Sequence, residues 1–190
     1  FQYIAARQKK EELEILLNYV INRHYPIIKN SKNKPIDLLK TVLDKQIDLV
    51  VNWMRVGFVH GVMNTDNMLV SGETIDYGPC AFMDEYNPSI YFSSIDKHGR
   101  YSYKNQPAIM IWNLSKLAEA FIPLVDKNKE KAVIKLSEVL NLAMPTYQEY
   151  FYIEMSKKFG LKNVDQEVMN LVNNYLKILM ENSVDFVLSF

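Results

Sequence analysis

The chain has 190 residues, 48% of them apolar, and its 22 basic and 22 acidic side chains cancel to a net charge of zero. That suffices for one domain, or one lobe of a larger one, with ample material for a core. The charge balance gives no footing for nucleic acid or an anionic membrane surface, and no apolar run approaches the about 20 residues of a membrane span. A lone cysteine, Cys80, excludes an internal disulfide and suits a reducing compartment. It is expected to be a small buried thiol rather than a redox centre. The chain opens at Phe1, already helical in composition and with no signal-peptide pattern, so it is expected to be a piece of a longer protein.

Residues 1–23 read as one helix, with Leu13, Leu16, Leu17, Val20 and Ile21 at helical spacing and Pro26 ending the segment. His24 belongs to that helix end, where an imidazolium suits the dipole, rather than to a ligand set. A polar loop rich in Lys and Asn follows at 27–35. Pro35 then starts a long helix to about Val56, whose apolar face runs from Leu38 through Val42, Ile47 and Val50 to Met54. Trp53 is expected in the core.

Phe58 to Gly78, FVHGVMNTDNMLVSGETIDYG, carries the candidate chemistry. Met68-Leu69-Val70 and Thr74-Ile75-Asp76 read as short strands about a Ser71-Gly72 turn. That register pairs Leu69 with Thr74, Met68 with Ile75 and Asn67 with Asp76. Opposed side chains on an antiparallel pair lie about 5 Å apart, so Asn67 and Asp76 meet at the open end of the hairpin. An amide oxygen and a carboxylate are hard donors of the kind Mg²⁺ takes, with phosphate and water completing its shell. Asp66, one residue upstream, is placed to act as a general base or to orient a water. The competing view is that all three are turn residues bonding their own backbone. Against it, acids beside apolar strands need a partner, and a metal supplies one. His60 is expected to brace the loop rather than move protons, and Gly61 to allow a backbone shape other residues resist.

Residues 79–106 lack a long period and are rich in turn formers and tyrosines; a loop of this length is usually functional or mobile. Tyr91, Ser93, Ser94, Tyr101 and Tyr103 offer hydroxyls for self-modification if exposed. Asp84 and Glu85 suit capping or ion pairs better than a second metal. Arg100 suits either a bridge to the core or a phosphate. An apolar helix follows from Pro107 to about Ile122, then helices near 129–143, 145–159 and 164–187, with Gly160 stopping the helix before the last.

The order of the central motif resembles a protein kinase, where a His is followed seven residues later by a metal-binding Asn and then by Asp-Phe-Gly. Here these are His60, Asn67 and Asp76-Tyr77-Gly78, but Val62 stands where a kinase has its catalytic Asp. GFVHGVMNTDNM followed by TIDYGP and FMD, with HYP at 24–26, HGRYSYKNQP at 98–107 and WNLSKLAEAFIPL at 112–124, is similar to the selenoprotein O family of kinase-like protein adenylyltransferases. The resemblance implies a mainly α fold, the C-terminal lobe of a kinase-like protein with a short β-hairpin carrying the metal site. The ATP-clamping N-terminal lobe would lie outside this chain, 79–106 would be the activation or substrate loop, and the isolated stretch would be inactive alone. It further implies ATP as substrate and Mg²⁺ or Mn²⁺ as cofactor, with AMP moving to Ser, Thr or Tyr hydroxyls of proteins. Asp66 is then the proton acceptor, Asn67 and Asp76 the metal ligands, and Asp76 also a nucleotide contact. The implied location is cytoplasmic in a bacterium and mitochondrial in a eukaryote. Kinase-type transfer of the γ-phosphate and a non-catalytic scaffold stay open as alternatives.

Overall fold

Apolar residues recurring every three or four positions from Leu38 to Met54 make one buried stripe, and the molecule is built around the helix that carries it. The computed structural model describes residues 1–190. Its helices are α1 (Gln2–Ala6), α2 (Lys10–His24), α3 (Lys34–Val56), α4 (Gln106–Val125), α5 (Lys129–Leu140), α6 (Ala143–Lys158) and α7 (Gln166–Glu181). Two-residue strands β1 (Phe58–Val59) and β2 (Ala81–Phe82) form the only sheet, so the fold is mainly α.

α3 starts at the residue before Pro35, with Asp37 in its first turn and Arg55 in its last, both favourable to the helix dipole. Gly57 closes it in a left-handed conformation at φ 74°, donating to the carbonyls of Met54 and Trp53. A Cβ there would stand 2.8 Å from the Phe186 ring, so packing as well as backbone calls for glycine. α3 packs against α4 and α6, and one core cluster of 34 buried residues runs from Leu17 to Phe186. Trp53 is in it, 7% exposed, as the sequence predicts.

Several boundaries differ from expectation. Residues 1–23 are two helices, because Gln8 takes a left-handed φ of 56° and breaks the first segment from the second. α4 continues three residues past Ile122, with Pro123 inside its last turn. The stretch Tyr103–Val125 also meets the length and mean hydropathy, 1.4, of a membrane span, contrary to the expectation that no run approaches one. Here it packs against α1, α3, α5 and α6 and buries Gln106 and Asn113. α7 stops at Glu181 rather than near 187, because Ser183 at φ 50° turns the chain back. The tail then pairs with the long loop: Tyr86 donates to the Val184 carbonyl at 2.9 Å and Phe186 to the Asp84 carbonyl at 2.7 Å. Phe186 is fully buried and stacks on Tyr86 at 5.4 Å. Residues 84–86 of the long loop are thereby tied to the tail.

Candidate active site

β1 and β2 pair antiparallel, Phe58 with Phe82 and Val59 with Ala81, and the motif forms the loop between them. Gln106, fully buried at the start of α4, fastens β1: its Oε1 accepts from the His60 N–H and its Nε2 donates to the Phe58 carbonyl, both at 2.9 Å. Asn113, two turns on, donates to the Met63 carbonyl at 2.9 Å. These two amides had a legible signal, since polar residues inside an otherwise apolar helix need buried partners.

The hairpin expected at 68–76 is a single bridge, Met68 with Thr74, one residue out of the predicted register. Gly72 donates to the Leu69 carbonyl at 3.0 Å, which centres the turn on Val70-Ser71. The ladder is replaced by side chains from elsewhere in the chain. Tyr25 donates to the Val70 carbonyl, Gln46 to the Leu69 carbonyl at 2.5 Å, and Trp53 Nε1 to Thr74 Oγ1 at 3.2 Å. Burial, with Glu73 nearby, raises the Tyr25 phenol above its usual pKa and keeps its proton in place. His60 is fully buried; its Nδ1 faces the Val62 N–H at 3.3 Å and its Nε2 the Ile75 carbonyl at 2.8 Å. The first contact makes Nδ1 the acceptor, which assigns the ring proton to Nε2 and directs it at Ile75. His60 therefore ties the two halves of the loop together, the bracing role expected of it. Gly61 sits at φ 86°, where a Cβ would be 2.8 Å from the Pro79 carbonyl oxygen, so this crossing also requires glycine.

Asn67 and Asp76 meet despite the slipped register: Asn67 Nδ2 donates to Asp76 Oδ2 at 2.8 Å. Asp76 has left the strand region for φ 58°, so its side chain does not follow the alternation of a regular strand. A left-handed backbone is one Asp tolerates better than most residues, and such positions cluster at functional sites. Asn67 Nδ2 also donates to the Val62 carbonyl at 3.0 Å. Both amide protons are thus spent and Oδ1 remains free, beside a carboxylate with Oδ1 to spare. No group of three His, Cys, Asp or Glu side chains occurs that would hold an ion alone. Two hard oxygens at an open surface fit a hard cation whose other ligands come from phosphate and water.

Asp66 is exposed in the turn closed by the Asn67 N–H donating to the Asn64 carbonyl at 3.0 Å. No side chain of the protein engages its carboxylate. It lines a cleft of about 330 Å³ with Val42, Met68, Leu114 and Lys116, the last paired with Glu119 at 2.6 Å. Asp66 and Asp76 are both exposed, so the argument that acids beside apolar strands need a compensating partner does not hold here; the donor set and its geometry are what favour an ion.

The family model for protein adenylyltransferase SelO matches residues 1–190. The chain belongs to the SelO family. It is 52% identical over all 190 residues to the protein nucleotidyltransferase YdiU of Pelagibacter ubique, covering 39% of that protein. It is 48% identical to the YdiU of Rhizobium rhizogenes, again over the full chain and 38% of the relative. For the YdiU of Agrobacterium fabrum the figures are 46% identity and 39% coverage. The chain thus spans well under half the length of these relatives.

In this SelO-family chain the remaining candidates divide. Cys80 is half-buried rather than buried, its thiol donating to the Tyr77 carbonyl at 3.3 Å, because the strand that follows it is only two residues long and lies at the surface. Ser93 and Tyr103 are 3% and 2% exposed, which removes them as modification sites; the Tyr103 hydroxyl donates to the Met54 carbonyl at 2.6 Å. Tyr91 and Ser94 are exposed. Asp84 and Glu85 bond through their backbones to the C-terminal tail. Arg100 is exposed and its guanidinium lies 4.8 Å from the ring centre of the exposed Trp112, which joins the loop to the surface of α4.

Proposed function

We propose that this chain is the metal- and base-bearing lobe, kinase-like in fold, of a protein adenylyltransferase that uses ATP with Mg²⁺ or Mn²⁺ to place AMP on Ser, Thr or Tyr hydroxyls of proteins. The observation that carries the reading is the match to the adenylyltransferase family over every residue of the chain. The contact of Asn67 with Asp76 supports it, since it gathers the two oxygen donors the chemistry needs.

In this reading Asn67 Oδ1 and the Asp76 carboxylate hold the cation, and Asp76 also lies against the nucleotide. The cation, when bound, neutralises phosphate charge that grows in the transition state. Asp66, unengaged and one residue from Asn67, takes the proton of the acceptor hydroxyl as its oxygen bonds to the α-phosphorus. The bond from that phosphorus to the bridging β-oxygen breaks, and pyrophosphate leaves. His60 and Gly61 keep the two halves of the loop in register. Residues 79–106, tied to the C-terminal tail at 84–86, form the floor on which the acceptor protein lies.

The test is full-length enzyme incubated with an acceptor protein and ATP labelled at either the α- or the γ-phosphate. Label from the α position on protein, lost in Asp66→Ala by about 10²-fold or more, is expected. Label from the γ position alone would replace AMP transfer with kinase chemistry.

A further inference from the structure

Tyr101 stands in the long loop, far in sequence from the motif, yet its hydroxyl donates to Asn64 Oδ1 at 2.6 Å. Asn64 opens the turn that presents Asp66: its own carbonyl accepts from the Asn67 N–H at 3.0 Å. We propose that Tyr101 is a positioning residue for transfer, a strap from the 79–106 loop that fixes the turn carrying Asp66 through Asn64. The proposal rests on Asp66 being the proton acceptor.

The strap is anchored at its far end. Asp96 is 8% exposed, and its carboxylate accepts from the backbone N–H groups of Arg100 at 2.9 Å and Tyr101 at 2.8 Å. A nearly buried carboxylate held by two amides makes a stiff turn, because loss of either bond would leave one of its oxygens without a partner. Asn105 Nδ2 closes the same turn on the Gly99 carbonyl at 2.8 Å. Arg100 lies over Trp112, and the next residue of α4, Asn113, holds the Met63 carbonyl at 2.9 Å. The Met63-Asn64 step is thus gripped from two directions, by α4 beneath and by Tyr101 from the loop. Asp66 has no such hold of its own. The turn that carries it is held on the Asn67 side by Val62 and Asp76, and on the Asn64 side by the phenol.

This arrangement couples the loop on which an acceptor would lie to the base that would deprotonate it. A misplacement of about 1 Å at a reacting group costs up to about 10²-fold in rate without touching the binding of the other substrate. Removing only the hydroxyl, by Tyr101→Phe in full-length enzyme, is expected to lower kcat for AMP transfer to protein about tenfold while KM for ATP stays within about twofold. Asn64→Ala should do the same, and the double variant should fall no further than either single one, because both remove one bond. Hydrogen exchange gives a readout independent of the chemistry: the Asn67 amide, bonded to the Asn64 carbonyl, should lose protection in Tyr101→Phe while those of α3 and α4 keep theirs. Unchanged kcat, multiplicative losses in the double variant, or unchanged exchange at the Asn67 amide would each overturn the strap. Asp66→Asn is measured alongside. If it stays active the base assignment fails, whereas the exchange result still decides whether Tyr101 orders the turn.

Discussion

Replacing His60 by Leu removes both polar functions of a fully buried ring while roughly keeping its bulk. The Val62 N–H and the Ile75 carbonyl then lose their partners. An unmet buried polar group costs about 1–3 kcal/mol, and both residues are only half-buried, so the lower part of that range applies. The sum is about 2–3 kcal/mol. With a urea slope of about 2 kcal/mol per molar, the midpoint for the unit holding this site should fall by about 1–1.5 M. The assay is equilibrium unfolding followed by Trp53 fluorescence, for its indole lies 5.4 Å from the His60 ring and reports on this region. Activity of the folded fraction, measured well below the transition, should fall through displacement of Asp76, with a pH profile of unchanged shape. A midpoint shift below about 0.5 M, joined to loss of one limb of the pH profile, would refute the bracing argument and make His60 a proton carrier.

Gly61→Ala should destabilise the same loop, since φ 86° is unfavourable for alanine and its Cβ would meet the Pro79 carbonyl at 2.8 Å; a lowered melting temperature with weakened metal-dependent nucleotide binding is expected, and wild-type values for both would contradict the crossing. Lys158 donates to the Arg55 carbonyl at 2.9 Å and lies over the rings of Phe186 and Phe190. Burial, and then the Arg55 charge, bring its pKa down from 10.5 to about 8. Its folded pKa is below its unfolded one, so the unfolded state binds more protons between these values and stability should rise with pH from about 8 toward 10.5. Lys158→Met should flatten that rise in urea midpoints measured from about pH 8 to about 9.5, below the range where the raised phenols of Tyr25, Tyr86, Tyr103 and Tyr147 begin to lower stability; an equal rise in parent and variant would contradict the assignment to Lys158.

What the sequence made legible depended on where each segment finds its partners. α3 and α4 carry their signal internally, as apolar stripes with Pro at the start, and they lie where periodicity puts them. The 68–76 turn does not: its hydrogen bonds come from Tyr25, Gln46 and Trp53, distant residues whose arrival no local pattern announces, so the register slipped by one. The meeting of Asn67 and Asp76 was anticipated on hairpin geometry and occurs by a different route, through the left-handed backbone at Asp76. The pairing of β1 with β2 was invisible, because two-residue strands show no alternation. The turn at Ser183 interrupts a helical pattern that composition alone continued through Val184, and the tail it redirects brings Phe186 against Tyr103. Nothing in the sequence sets Tyr101 apart from the other loop tyrosines; only the fold brings its hydroxyl onto Asn64.

Everything proposed for this chain turns on Asn67 and Asp76 holding a cation under a nucleotide. The direct measurement is Mn²⁺ binding to full-length enzyme with ATP, followed by the paramagnetic signal of free Mn²⁺, in the parent, Asp76→Ala and Asn67→Ala. The parent should take up Mn²⁺ only when ATP is present, and each variant should lose affinity by about 10-fold or more. Parental uptake in both variants would contradict the assignment.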